Sequence, residues 1–265
     1  LLKLATKNGD KTPGYSARKI GSGNFVALLS VDKRTYMEAV TVVGPQPITL
    51  KEVKSNPKVR KLIDGANEVM KSMGYTEHGH RHVGVVAGIT GYILERVHVP
   101  AREIELGQIA AYLHDIGNVI NRVNHPLHGG VIAWTILNEM GMDAGEIAPI
   151  LGAIGNHEEM TGTPISTMSA ALIIADKSDV HYSRVQNPIK ESFDIHDRVN
   201  FAVQKSRVEM KPETNKLELF LEIDTTQASV MEYFEIFLNR MIMCRKSADI
   251  IGYKFALNVN GTYME

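Results

Sequence analysis

A chain of 265 residues with 44% hydrophobic content carries enough apolar side chain for one large domain or two modest ones, so an ordinary folded globule is predicted. With 29 basic and 30 acidic residues the formal net charge is -1, and no global field draws the chain to nucleic acid or to an anionic membrane surface. Cys244 is the lone cysteine, which rules out an intramolecular disulfide and a cysteine-based zinc site and fits a reducing, cytoplasmic setting. The longest apolar runs, such as "ALIIA" at 171–175, fall far short of a membrane span, and the first residues do not read as a signal peptide. The chain begins at Leu1 rather than Met, which leaves its natural N-terminus open. The unusual feature is histidine: there are 10, all from His78 to His196.

In chain order, residues 8–23 are rich in Gly, Ser, Lys and Pro and read as a loop or arm. Residues 24–44 carry β-branched and aromatic side chains around a turn at Asp32-Lys33, the pattern of a β-hairpin. Asn56 can cap and Pro57 suits a first helical turn; Val59, Leu62, Ile63, Ala66, Val69, Met70 and Met73 then recur at helical spacing before Gly74. Thr76 is read as the cap of a helix reaching about Val97, and Pro100 as the opening of one that ends at Gly117. Another spans 128–140, closed by Gly141; Asp143 and Glu146 start a helix toward His157, and Pro164 precedes the last, through Val185. These short-looped helices predict a bundle over the middle of the chain.

Beyond about residue 195 the period changes to two. Val199, Phe201 and Val203 alternate with polar neighbours, as do Leu217, Leu219, Leu221 and Ile223, and then Tyr253, Phe255, Leu257 and Val259. A helix from about Thr226 to Arg245 separates the last two runs, so the tail reads as ββαβ, which the N-terminal hairpin could join to close one sheet. The predicted fold class is therefore mainly α, a helical bundle with a small α+β extension. The domain reading is 1–50 for arm and hairpin, 51–194 for the helical metal-binding domain and 195–265 for the ββαβ subdomain.

A metal ion with nitrogen and oxygen ligands needs neutral imidazoles and a carboxylate converging in space, and helices deliver these from successive turns of a bundle. His82, His114 with Asp115, His125, His157 and Asp176 stand in that order, each near a helix end or on a helix that should face the bundle. Asp176 follows "ALIIA" into the core, where an unpaired carboxylate is costly and a cation would neutralise it. Taken singly these residues are ordinary: an adjacent His-Asp pair caps a helix end, and His78, His80, His98 and His196 read as exposed. As an ordered set they point to metal.

"YLHDIGN", with His82 upstream and "IIADKSD" downstream, resembles the HD-domain superfamily of metal-dependent phosphohydrolases, an all-helical fold, over residues 56–185. The resemblance implies that His82, His114, Asp115 and Asp176 bind a first metal. "HPLHGGVI" and "NHEEMTGTPISTMSAALIIAD" look most like the HD-GYP branch, which implies a second metal at His125 and His157 with Asp115 bridging. His125 fits that branch's His-x-x-x-Gly spacing, while His128, one turn on, could serve instead or contact substrate. The chain departs from the branch in three places: Asn118 replaces a lysine, Asn156-His157 replaces a histidine pair, and the Gly-Tyr-Pro element is shortened to "TGTP". These changes argue against cyclic di-GMP as substrate.

The implied chemistry is hydrolysis of a nucleotide or related small phosphoester, as phosphohydrolase or phosphodiesterase, by a water that one or two divalent metals deprotonate and that attacks phosphorus in line. Asp115 would orient that water, Lys177, Arg184 and Arg122 are the candidate phosphate contacts, and His128 or His181 the candidate acid. The histidine-heavy donor set suits Fe, Mn, Ni, Co or Zn better than Mg. Asn118, Asn156 and the appended strands suggest an alternative, a non-catalytic metal-binding signalling or interaction module. Exposed sheet edges suggest a homodimer, and no nucleic-acid or membrane partner is expected.

Overall fold

The computed structural model describes residues 15–20, 24–29, 39–42 and 46–264. It divides into two compact units, Leu1–Pro47 and Ile48–Glu265. In the first unit, strands β1 (Tyr15–Ile20), β2 (Asn24–Leu29) and β3 (Ala39–Val42) pair antiparallel in the order β1-β2-β3. The β2–β3 pair, with Phe25 opposite Val42, is the hairpin read from the alternation; its turn at Asp32-Lys33 lies outside the described residues. β1 falls where composition indicated an arm. Its pairing with β2 supplies the backbone partners that local composition does not reveal.

The second unit opens with α1 (Leu50–Ser55), held by a reciprocal capping box between Thr49 and Glu52. In α2 (Pro57–Ser72) the Asn56 side chain accepts from the backbone of Lys58 and Val59, and Val59, Ile63, Ala66 and Met70 are buried as their spacing requires. Helix α3 runs from His80 to Arg96, not from Thr76. The chain entering it is pinned by Glu77, whose amide donates to Arg184 O (2.7 Å) and whose carboxylate accepts from Gly79 N (2.7 Å). A partner from a distant turn therefore displaced the local cap.

Helix α4 (Ala101–Leu113) stops before the His-Asp pair, and a 3-10 turn over Ile116–Val119 follows. Next come α5 (His125–Glu139), α6 (Ala144–Gly155) and α7 (Thr167–Ser178). Every residue of α7 from Met168 to Ser178 is buried, which makes it the central rod of the unit. Leu172 and Ala175 pack into the helical core with α2–α6, while Ala171 and Ile174 pack into a second core shared with the C-terminal elements.

Those elements are α8 (Ile195–Ala202), β4 (Val203–Lys211), β5 (Lys216–Ile223), α9 (Val230–Ile250), β6 (Lys254–Val259) and β7 (Thr262–Met264). The sheet order is β4-β5-β6-β7, with β5 and β6 parallel across the α9 crossover and the other pairs antiparallel. One expectation is corrected. The first strand begins at Val203 rather than Val199, because Asp194 accepts from Asp197 N and starts a helix that buries Val199 and Ala202. Within this unit β7 lies beside β6 at one edge of the four-stranded sheet. No helix among the described residues is long and apolar enough to cross a membrane.

Candidate metal centre

Five helices deliver the predicted ligands to one buried point. His82 lies in the first turn of α3, His114 and Asp115 follow α4, His125 opens α5, His157 follows α6, and Asp176 sits near the end of α7. Gly117 makes the approach of α5 possible. A Cβ there would lie 2.0 Å from the His125 carbonyl oxygen and 2.4 Å from Gly129 N, so only glycine lets the turn after Asp115 lie against the α5 backbone.

Asp115 divides its oxygens between two groups of histidines. Oδ2 is 3.4 Å from His82 Nε2 and 3.3 Å from His114 Nε2; Oδ1 is 3.3 Å from His125 Nε2 and 3.7 Å from His157 Nε2. Asp176 Oδ1 closes the first group at 3.4 Å from His82 and 3.6 Å from His114. His125 and His157 meet at 3.0 Å between their Nε2 atoms, with Glu158 Oε2 3.6 Å from His125. Three overlapping sets emerge with donor atoms within 4.8 Å of one another: His82, His114 and Asp176; His114, Asp115 and His157; and His125, His157 and Glu158.

The imidazoles are oriented from behind. His82 Nδ1 lies 2.7 Å from Asp179 Oδ2, and the Nδ1 atoms of His114, His125 and His157 lie 2.7, 2.9 and 2.6 Å from the carbonyl oxygens of Ala111, Arg122 and Ile154. A proton on each Nδ1 satisfies these contacts and leaves Nε2 as the electron-pair donor, the arrangement that metal-binding histidines adopt. His82 Nε2 and His114 Nε2 are buried and make no hydrogen bond despite the nearby carboxylates. A divalent cation fits this donor set, because it would satisfy both nitrogens and the acidic oxygens together.

The electrostatics agree. Burial alone would depress the His114 imidazole, yet Asp115 and Asp176 outweigh it and lift it to about 10. Burial would raise Asp115, but His114, His125 and His157 hold it well below the usual carboxylate range; Asp176 is held down likewise by Lys177, His114 and His82. The carboxylates thus create a demand for positive charge at the Nε2 atoms.

The other expected residues fall differently. His125 belongs to one of the three donor sets and, among the described residues, His128 belongs to none of them. Lys177 is buried and ion-paired to Glu159 (2.6 Å) and Asp176 (2.8 Å). Arg184 is buried, lines a cavity beside the cluster, and donates to the carbonyls of Glu77 and Asp179. Arg122 reaches Glu158 at 3.0 Å and lies 3.1 Å from His125 Nε2. His181 caps the turn Tyr182–Arg184. Asn118, read as a lost phosphate contact, is buried and donates to Asp115 Oδ1 at 2.9 Å, so it orients that carboxylate. His78, read as exposed, is buried: its Nδ1 lies 2.6 Å from Thr76 O and its ring packs 5.5 Å from that of His82.

Residues missed in the sequence are those whose roles depend on distant partners. Asp179 binds both His82 and Arg81, and Glu158 joins the His125 set. Each lies next to a motif, Asp179 at the end of "ADKSD" and Glu158 after His157, and that adjacency was the available signal.

No family model matches the chain. Over 225 residues it is 25% identical to an uncharacterized protein, MJ1020, of Methanocaldococcus jannaschii, covering 76% of this chain and 85% of that one. Among solved structures it is similar to a predicted HD superfamily hydrolase from an uncultured Thermotogales bacterium, with 26% identity and a TM-score of 0.37 over 51% of this chain and 75% of that one.

Proposed function

We propose that this protein is a metal-dependent phosphohydrolase that cleaves a nucleotide or related small phosphoester. The observation that carries the proposal is the division of Asp115 between two histidine groups, with Asp176 completing one and Glu158 the other. Divalent metals held there would supply Lewis acidity, lowering the pKa of water and taking up charge on phosphoryl oxygens. The chain's own residues do the positioning. Asn118 fixes the Asp115 carboxylate, Asp179 fixes His82, and Lys177 pairs with both Asp176 and Glu159 so that the buried carboxylates are compensated. Arg122, held by Glu158 beside His125, adds positive charge next to the cluster, where negative charge on phosphoryl oxygens would develop.

The test is elemental analysis of the purified protein, followed by assay of the Mn-, Fe-, Co-, Ni- and Zn-loaded forms against phosphomonoesters and phosphodiesters. Turnover abolished by Asp115→Ala is expected; absence of turnover from every metal-replete form would refute the proposal. A second reading, a non-catalytic metal-binding module, is favoured by the commitment of Lys177 and Arg184 to internal partners. It requires that metal removal lower the melting temperature while no ester is hydrolysed.

A further inference from the structure

Beside the metal centre lies a cavity of about 490 Å³. His78, Arg122 and Glu159 line it from the side of the ligand-bearing loops, and Ile236, Phe237 and Arg240 line it from α9. The long helix of the C-terminal extension therefore forms a wall of the candidate active site. Its cation is distinctive. Arg240 is anchored by Nε, which donates to Glu159 Oε1 at 3.0 Å, and its guanidinium carbon lies 4.4 Å from the centre of the Phe237 ring.

That anchoring leaves both terminal nitrogens of Arg240 without a hydrogen bond among the described residues, at the edge of a cavity. The other guanidinium groups lining the cavity are spent: Arg184 on the carbonyls of Glu77 and Asp179, and Arg122 on Glu158 and the His125 ring. Glu159 uses Oε1 for Arg240 Nε and Oε2 for Lys177, which also pairs with Asp176, so the anchor holds one edge of the Arg240 guanidinium and leaves the other facing the cavity. A rigid, charged fork whose terminal N–H donors are free suits paired oxygens of a phosphate. It also stands close to the chemistry, since contacts of 3.0, 2.6 and 2.8 Å lead from Arg240 through Glu159 and Lys177 to the ligand candidate Asp176.

We propose that Arg240 is a substrate-recognition residue that grips the terminal oxygens of a phosphomonoester dianion, making the C-terminal extension a specificity element that selects monoesters over diesters. This rests on the phosphohydrolase proposal above. A diester carries one charge less, and its second substituent occupies an oxygen the fork would take. Ile236 and Phe237 flank the fork and offer apolar surface to the rest of the substrate.

The experiment uses manganese-loaded full-length protein, wild type, Arg240→Gln and Arg240→Lys, matched by melting temperature. Inorganic phosphate binding is measured by calorimetry, and KM and kcat with para-nitrophenyl phosphate and its bis-ester. Arg240→Gln should weaken phosphate binding and raise the monoester KM by about tenfold or more, as loss of a charged hydrogen-bonding partner does, with a smaller change for the diester. Arg240→Lys should fall between. Because a variant can fail to fold, the wild type is also treated with phenylglyoxal and mapped by mass spectrometry; phosphate should protect Arg240. Unchanged phosphate affinity in the Gln variant, or no protection in the wild type, overturns the assignment. Phosphate binding that depends on Arg240 in a protein that hydrolyses neither ester would uphold recognition and overturn the hydrolase proposal. Monoester turnover with KM unmoved by Arg240→Gln would do the reverse.

Discussion

Asp179→Asn isolates the part played by a residue that would touch no metal. Asp179 receives His82 Nδ1 at 2.7 Å and Arg81 Nη2 at 2.6 Å, and lies 3.8 Å from Arg184 Nε. Its carboxyl is held below the usual range, against burial, chiefly by the His82 hydrogen bond and the Arg184 charge. Asparagine preserves shape and one acceptor. If its oxygen keeps His82, its amide hydrogens face the Arg81 guanidinium, donor against donor. The outer partner of a ligating histidine is generally worth about 10- to 100-fold in metal affinity, about 1.4–2.7 kcal/mol. A buried donor left unsatisfied costs a further ~1–3 kcal/mol of stability. Competition with a chromophoric chelator reads the first effect, and urea unfolding of the metal-free protein reads the second. His82→Ala serves as the reference for complete loss of that ligand. A destabilised Asp179→Asn protein that binds metal as tightly as wild type would refute the idea that Asp179 presents His82 to a cation.

Three further outcomes follow from the geometry. Gly117→Ala places a Cβ within 2.0 Å of the His125 carbonyl, against backbone that cannot swing aside, so urea denaturation should show a loss of about 3 kcal/mol or more. His125→Ala should remove one equivalent of bound metal by elemental analysis whereas His128→Ala should leave the stoichiometry unchanged; equal effects would return His128 to the ligand set. Since histidines coordinate as neutral imidazoles with an ordinary pKa of about 6.5, protons compete with the metal. Because Asp115 and Asp176 lift His114 to about 10 against its burial, that competition starts there, and metal affinity should fall as pH drops from about 10 through the ordinary histidine region; an affinity that rises on acidification would count against histidine ligation.

Much of the fold was legible because its signals are local. Asn56 and Pro57 announce α2, and Val59, Ile63, Ala66 and Met70 give its buried stripe. The alternation of Leu217, Leu219, Leu221 and Ile223 gives β5 its buried face. Local signals misled where a distant group competed. Thr76 lost the start of α3 to Gly79 because Glu77 is fastened to Arg184, and the apparent period of two at Val199 belongs to a short helix capped by Asp194.

The candidate site divides along the same line. Sequence by itself determined which side chains could hold metal, because histidine and aspartate at successive helix ends are a chemical pattern readable without coordinates: His82, His114, Asp115, His125, His157 and Asp176 are the residues that converge. Only the tertiary structure decided how they are used. It separated His125 from His128, buried Asn118 against Asp115, consumed Lys177 and Arg184 in internal pairs, and brought Arg240 from α9 to the rim of the same cavity. The physical reason is range. Ligand chemistry is a property of the residue, whereas orientation, charge compensation and access depend on groups up to 107 positions apart that only folding brings into contact.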